Sequence, residues 1–259
     1  MVPPAMLSVS RTGPVLVLEL QDVAKRNSLT TTLIASLHAA LRTVGDARAV
    51  VLRAAPGCSV WSAGFDMGNL GPGIDPLEPS GPLMQLFHAV RDCPAPVIAS
   101  VHGSCWGGGT DLALRCDLLV ADPTCTLAFT PARIGLPYDT DGLRHVLARC
   151  GLGIAMEMFT TAEPIPAERA HRQGLINHLV EPDTLVPFTL ALAQRIAALA
   201  PLAVQSAKQQ LRALASATVL PDAVQAQIDA ARTIAVSSAD YTEGLAAFRG
   251  RRTPVFEGR

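Results

Sequence analysis

Pro96-Val97-Ile98-Ala99-Ser100-Val101-His102-Gly103-Ser104-Cys105-Trp106-Gly107-Gly108-Gly109-Thr110-Asp111 is the stretch on which the fold turns. Its first six residues make a nearly continuous apolar run of buried-strand length, and the glycines after it open a helix near Gly108–Leu114. A further strand is read at Asp117–Ala121. Working backwards, the same alternation recurs as a strand at Ala49–Ala54, a loop, and a helix around Pro82–Arg91. Nearer the start, Leu7–Ser10 and Val15–Leu20 read as strands joined by the Arg11–Pro14 turn, which contains Gly13. Leu33, Leu37, Leu41 and Val44 then recur at helical spacing behind Thr30, a suitable N-cap. Strands separated by helices predict an α/β fold with parallel pairing and crossover connections. No sequence repeat of fixed period is present, so any repetition is of structure alone.

Beyond about residue 143 the pattern turns helical, with segments at Leu143–Cys150, Ile154–Thr160, Pro187–Leu199, Leu202–Ala215, Ala223–Ala235 and Tyr241–Arg249. A division at 1–186 and 187–259 follows, the second part being a helical layer over the first or over a neighbouring subunit. The long loop from Gly71 to Pro82 reads as a surface segment of the kind that carries binding function.

With 49% hydrophobic and 17% charged residues, the 259-residue chain buries a substantial core and is not a disordered protein. Lys plus Arg number 21 against 22 acids, which argues against a nucleic-acid partner. Met1–Leu20 lacks the basic start and long apolar run of a signal peptide, and Val15–Leu18 is too short to cross a bilayer. A cytoplasmic location without membrane attachment is therefore expected. The six cysteines form no CxxC pair and read as reduced, buried thiols. The six histidines fall into no ligand spacing, so no metal site is expected.

Two glycine turns carry the chemistry. Trp61-Ser62-Ala63-Gly64-Phe65-Asp66 follows the Ala49–Ala54 strand, and Trp106-Gly107-Gly108-Gly109-Thr110-Asp111 follows Pro96–Val101. Glycine lets backbone approach a ligand closely, and a helix starting there presents unpaired N–H donors. Such donors can hold an oxyanion without a titratable group. Either turn alone is also explained as a tight connection.

Taken in order, these segments resemble the crotonase, or enoyl-CoA hydratase/isomerase, superfamily. The resemblance runs through Lys25-Arg26-Asn27-Ser28-Leu29, both glycine turns and Pro96–Gly103 to Ala200-Pro201-Leu202-Ala203, Lys208, Glu243-Gly244 and Phe248. It implies a crotonase-like spiral of ββα units with a helical C-terminal region, assembled as a homotrimer or a dimer of trimers. It implies further that the N–H groups of Phe65 and Gly108 form an oxyanion hole for a thioester enolate. Coenzyme A would enter as part of the thioester substrate, with no other cofactor required. Its handle would lie along Ala24, Lys25, Arg26, Ala63, Asp66 and Met67, with Phe248 and Arg251 of a neighbouring subunit closing over the nucleotide end.

Hydratases of the family carry a glutamate three residues after the hole glycine and another in a later Pro-Glu pair. Here those positions hold Asp111 and Pro131, and proline moves no proton. Leu127–Tyr138, with its Thr130-Pro131 pair and Gly135-Leu136-Pro137-Tyr138 turn, instead resembles the methylmalonyl-CoA decarboxylase branch. Val60–Gly64, Ser104–Gly108 and Asp75-Pro76-Leu77 do the same. This resemblance implies decarboxylation of methylmalonyl-CoA to propionyl-CoA, with Tyr138 orienting the carboxylate. Asp111 is open to three roles: protonating the enolate, positioning a water, or structuring the pocket. The chain departs from the branch at Asp111, at Phe65 where a polar residue can occur, and at Asp139 where an asparagine is usual. Two rivals remain at this level: a hydratase or isomerase on another acyl-CoA, and a non-catalytic acyl-CoA-binding homologue.

Overall fold

The computed structural model describes residues 6–71, 74–216 and 220–258. Pro72 and Gly73 of the long loop lie outside them. The chain opens as a hairpin of β1 (Leu7–Thr12) and β2 (Val15–Leu20). Thr12 pairs with Val15, so the turn is Gly13-Pro14 and β1 runs two residues beyond Ser10. Gly13 takes φ +58°, which a residue without Cβ adopts at little steric expense.

Helix α1 (Thr31–Arg42) starts where the Thr30 hydroxyl accepts the Leu33 N–H at 3.2 Å. Its spacing buries Leu33, Ile34, Leu37 and Leu41, and it packs on α2 (Pro82–Asp92). Burial of four such side chains contributes roughly 6–12 kcal/mol before chain entropy is subtracted.

Between these helices come β3 (Ala49–Ala54) and β4 (Val60–Ser62). The next coil of chain holds β5 (Val97–Val101), β6 (Ser104–Trp106) and α3 (Gly108–Arg115). Another holds β7 (Leu118–Ala121), β8 (Thr126–Ala128) and α4 (Thr140–Thr161). Each coil thus gives one strand to each of two sheets and then a helix, the expected ββα spiral. After α4 come β9 (Ile165–Pro166), α5 (Ala167–Arg172), β10 (His178–Leu179), α6 (Leu185–Ala197), α7 (Pro201–Ala215), α8 (Asp222–Val236) and α9 (Ala239–Arg249).

The larger sheet runs β1-β2-β3-β5-β7-β10 and is parallel apart from the opening hairpin. Alternate residues of β3 enter different cores: Val50 and Leu52 join one, Ala49 and Val51 the other. Burial on both faces is what makes the strand read as continuously apolar. The smaller sheet, β4-β6-β8-β9, has strands of two or three residues, which show no period in the sequence.

Helix α4 bends at Gly151 (φ +75°), so the two helices expected at Leu143–Cys150 and Ile154–Thr160 are its arms. The division at residue 186/187 falls inside α6, whose Leu185, Leu192, Ala193 and Ala197 pack under the large sheet. Helix α9 packs on the Pro131–Ile134 turn, bringing the C-terminal region against the cleft described below. All six cysteines are free and five are buried. Among the described residues no single helix is long and apolar enough to cross a membrane.

Candidate active site

Strands β4 and β6 are parallel neighbours, and each ends in one of the glycine turns. The segment Arg26–Leu29 straps the first turn in place. Ala63 N–H donates to Arg26 O at 2.9 Å, the Ser62 hydroxyl donates to Asn27 O at 2.8 Å, and Asn27 Nδ2 donates to Trp61 O at 3.1 Å. Leu29 then bridges Phe65: its N–H donates to Gly64 O at 2.7 Å and its carbonyl accepts from Asp66 N–H at 3.3 Å. A parallel bridge of this register turns the N–H of Phe65 to the opposite side, toward the second turn.

The second turn interlocks with the first. Gly107 (φ +49°) donates to Ala128 O at 2.8 Å and releases the chain into α3 with Gly108 as its first residue. A Cβ at Gly64 (φ +82°) would stand 2.3 Å from Trp106 O, and one at Gly109 2.7 Å from the Ser62 side chain. Only glycine permits this approach. It leaves the Cβ position of Gly108 at 3.5 Å from Phe65 N, so the two main-chain donors are neighbours. Neither N–H has an acceptor among the described residues.

Both donors border a cavity of ≈ 410 Å³. At its exposed rim stand Arg26 and Phe248, and at its buried end Leu77, Leu83 and Tyr138. Ala63, Met67, Trp106, Thr130, Pro131 and Leu136 form much of the remaining wall. None of the side chains lining it is acidic among the described residues.

Asp111 is fully buried in the first turn of α3. Its carboxylate accepts from Arg115 Nε at 2.9 Å and from the Tyr138 hydroxyl at 2.7 Å. The same guanidinium reaches the second Asp111 oxygen at 3.4 Å and Asp141 at 2.6 Å. Burial, and next the Asp111 charge, hold the Tyr138 phenol well above its ordinary pKa, so it keeps its proton. Phe129 meets the Tyr138 ring edge-on at 5.2 Å. Asp139 caps α4 by accepting Gly142 N–H at 2.8 Å, while its other oxygen is buried without a hydrogen-bond partner. Burial, and then Asp111, push this carboxyl up to about 6.

Phe65, Gly108, Tyr138, Arg26, Ala63, Met67 and Phe248 therefore meet at one cleft. The others do not. Asp111 stands behind Tyr138, occupied by Arg115, and does not reach the cleft wall. The Asp66 carboxylate accepts the Gly68 N–H at 3.1 Å and is not part of the cleft lining. Ala24, Lys25 and Arg251 are exposed and lie off the cleft lining. Phe248 of this chain itself lines the cleft, because α9 folds back over the Pro131–Ile134 turn. Arg115 was not singled out, although its place four residues after Asp111 on a helix is a local signal of pairing. Leu83 carries no mark that separates it from an ordinary core leucine, and Leu77 entered only within the Asp75-Pro76-Leu77 match.

So arranged, the cleft suits a carbonyl oxygen that gains negative charge during a reaction. The sequence profile described as enoyl-CoA hydratase/isomerase matches residues 10–259. Methylmalonyl-CoA decarboxylase of Escherichia coli (strain K12) is 36% identical, covering 97% of this chain and 98% of that protein. 2,3-Dehydroadipyl-CoA hydratase of the same strain is 30% identical over 98% of this chain and 99% of its own length. A solved methylmalonyl-CoA decarboxylase in complex with 2-nitronate-propionyl-CoA aligns with a TM-score of 0.96 at 36% identity, covering 98% of this chain and 99% of that one. The chain belongs to the enoyl-CoA hydratase/isomerase, or crotonase, family and is an acyl-CoA enzyme of that family.

Proposed function

We propose that this protein decarboxylates a malonyl-type CoA thioester, with methylmalonyl-CoA as substrate and propionyl-CoA as product. The observation that carries this reading is the cleft wall, which among the described residues offers no carboxylate to activate a water. In the proposed complex the thioester oxygen accepts from Phe65 and Gly108 N–H. The bond between the α-carbon and the carboxylate breaks, its electron pair forms the enolate, carbon dioxide leaves, and one proton added at the α-carbon completes propionyl-CoA. Each hole donor lowers the barrier by about 2.7–4 kcal/mol.

Tyr138 lies at the buried end, where the small acyl group belongs if the coenzyme A handle leaves past Arg26 and Phe248. Its hydroxyl carries one proton and turns it from Asp111 to the substrate carboxylate. Asp111 remains paired, because Arg115 reaches both of its oxygens. Asp111 and Arg115 thus act as positioning residues for the tyrosine. Coenzyme A enters as part of the substrate. Exposed Leu202, Leu211 and Leu214 on α7 and Ile234 on α8 are apolar side chains that assembly as a homotrimer or a dimer of trimers would cover.

Incubation with methylmalonyl-CoA should give propionyl-CoA and carbon dioxide, while crotonyl-CoA should stay unhydrated. Crotonyl-CoA hydration faster than decarboxylation would sink the proposal in favour of a hydratase. Tyr138→Phe removes one hydrogen bond to a charged group, and kcat should fall about 10- to 100-fold. Propionyl-CoA affinity should change little; unchanged turnover would remove the role given to Tyr138.

A further inference from the structure

Behind the buried end of the cleft lies a second cavity of ≈ 660 Å³, open to solvent, between the 75–79 loop, α2, the start of α4 and α8. The two share a wall at Leu77. Neighbours in sequence line opposite sides of it: Pro76 and Asp75, Leu83 and Met84, Tyr138 and Asp139, the first of each pair on the cleft. Among the described residues Leu77 is the only one that borders both cavities, and it is 3% exposed.

The position of Leu77 is built. Asp75 Oδ1 accepts the Leu77 N–H at 2.9 Å, and Asp75 Oδ2 pairs with Arg232 of α8 at 2.5 Å. The same guanidinium donates to Pro137 O at 3.2 Å. One side chain of α8 thereby pins both the loop that carries Leu77 and the turn that leads into Tyr138.

We infer that Leu77 sets the upper size of the acyl group, closing the cleft so that short acyl chains fit and longer ones are refused. The inference deepens the proposed function and rests on its placing the acyl group at the buried end. With the handle at the exposed rim, as proposed above, a lengthening acyl chain grows toward the buried end, where Leu77 stands with Leu83 and Tyr138. Removing the side chain would join the cleft to the second cavity. That cavity is partly polar, lined by Asp139, Asp229 and Arg232 as well as Met84 and Val236, so the gain per methylene stays below the roughly fourfold of a fully apolar site.

Calorimetric binding of acetyl-, propionyl-, butyryl- and hexanoyl-CoA to the wild type, Leu77→Val and Leu77→Ala tests this without any turnover. Wild-type affinity should peak at a short chain and fall about tenfold by hexanoyl-CoA, against the rise that free apolar burial would give. Leu77→Ala should bind hexanoyl-CoA about tenfold more tightly than the wild type, and Leu77→Val should shift the peak to butyryl-CoA. Should the alanine variant fail to fold, the valine variant and the wild-type series decide. Wild-type affinity that keeps rising to hexanoyl-CoA overturns the inference, as does a folded Leu77→Ala with the wild-type profile. Failure to bind any of the four thioesters would strike at the acyl-CoA cleft itself, and a normal series with no decarboxylation at the proposed reaction alone.

Discussion

Gly64→Ala is the sharpest perturbation of the site, because it acts on the main chain that carries the chemistry. The new Cβ would lie 2.3 Å from Trp106 O and 3.2 Å from Gly108 N, at a φ of +82°. A carbon–oxygen contact settles at about 3.3 Å, so the two turns must part by about 1 Å. Oxyanion donors act at about 2.7–3.1 Å, so a shift of that size takes one of them out of reach. Losing one donor lowers kcat about 10²- to 10³-fold. Left-handed backbone at alanine costs about 1–2 kcal/mol and forcing the turns apart about 1–3 kcal/mol more, below the roughly 5–15 kcal/mol of a typical domain. The assay is single-turnover decarboxylation of methylmalonyl-CoA, read beside thermal melting. Phe65→Leu is the control: it keeps the N–H and should lose less than about tenfold. A cooperatively folded Gly64→Ala with turnover near the wild type would refute the assignment of the hole to Phe65 and Gly108.

Asp111→Ala leaves Arg115, itself 4% exposed, with Asp141 as its remaining acid. Removing one partner of a buried ion pair destabilises by about 3–5 kcal/mol, which urea denaturation should show; a loss below about 1 kcal/mol would contradict the buried pairing. Asp139 ionises near 6 in the fold against an ordinary value of 3.8, so the unfolded chain loses this proton first. Its contribution to stability is therefore full below pH 3.8, declines as pH rises to about 6, and is absent above. Asp139→Asn keeps the N-cap without the charge, so it should match the wild type near pH 4 and exceed it by about 3 kcal/mol at pH 7. A difference that does not vary with pH would refute this.

Runs with one strong local signal are legible in the sequence. Val15–Leu20 and Ala49–Ala54 appear with the same bounds because both of their faces are buried and five of the six positions in each are apolar. Thr30 marked the start of α1 because a cap hydroxyl is a local device. The small sheet was not legible, since two- and three-residue strands are too short to show a period. Phe65 and Gly108 were reached through family resemblance; their adjacency depends on a strand pairing across some forty residues, which no window of sequence displays. The burial of Asp111 was hidden for the same reason, because Tyr138 lies 27 residues away in the chain. Leu77 read as part of a surface loop and of the Asp75-Pro76-Leu77 match, and only the two cavities on either side of it give it a role.

Phe65 and Gly108 emerge just past the same ends of two hydrogen-bonded parallel strands, β4 and β6. Adjacent strands stand about 4.8 Å apart, a separation set by backbone hydrogen bonds and nearly indifferent to side chains. The gauge of the socket is thus inherited from the peptide unit itself. Substitutions anywhere on its rim can retool what is admitted and which bond is cut, while the two pins that grip the thioester keep their spacing.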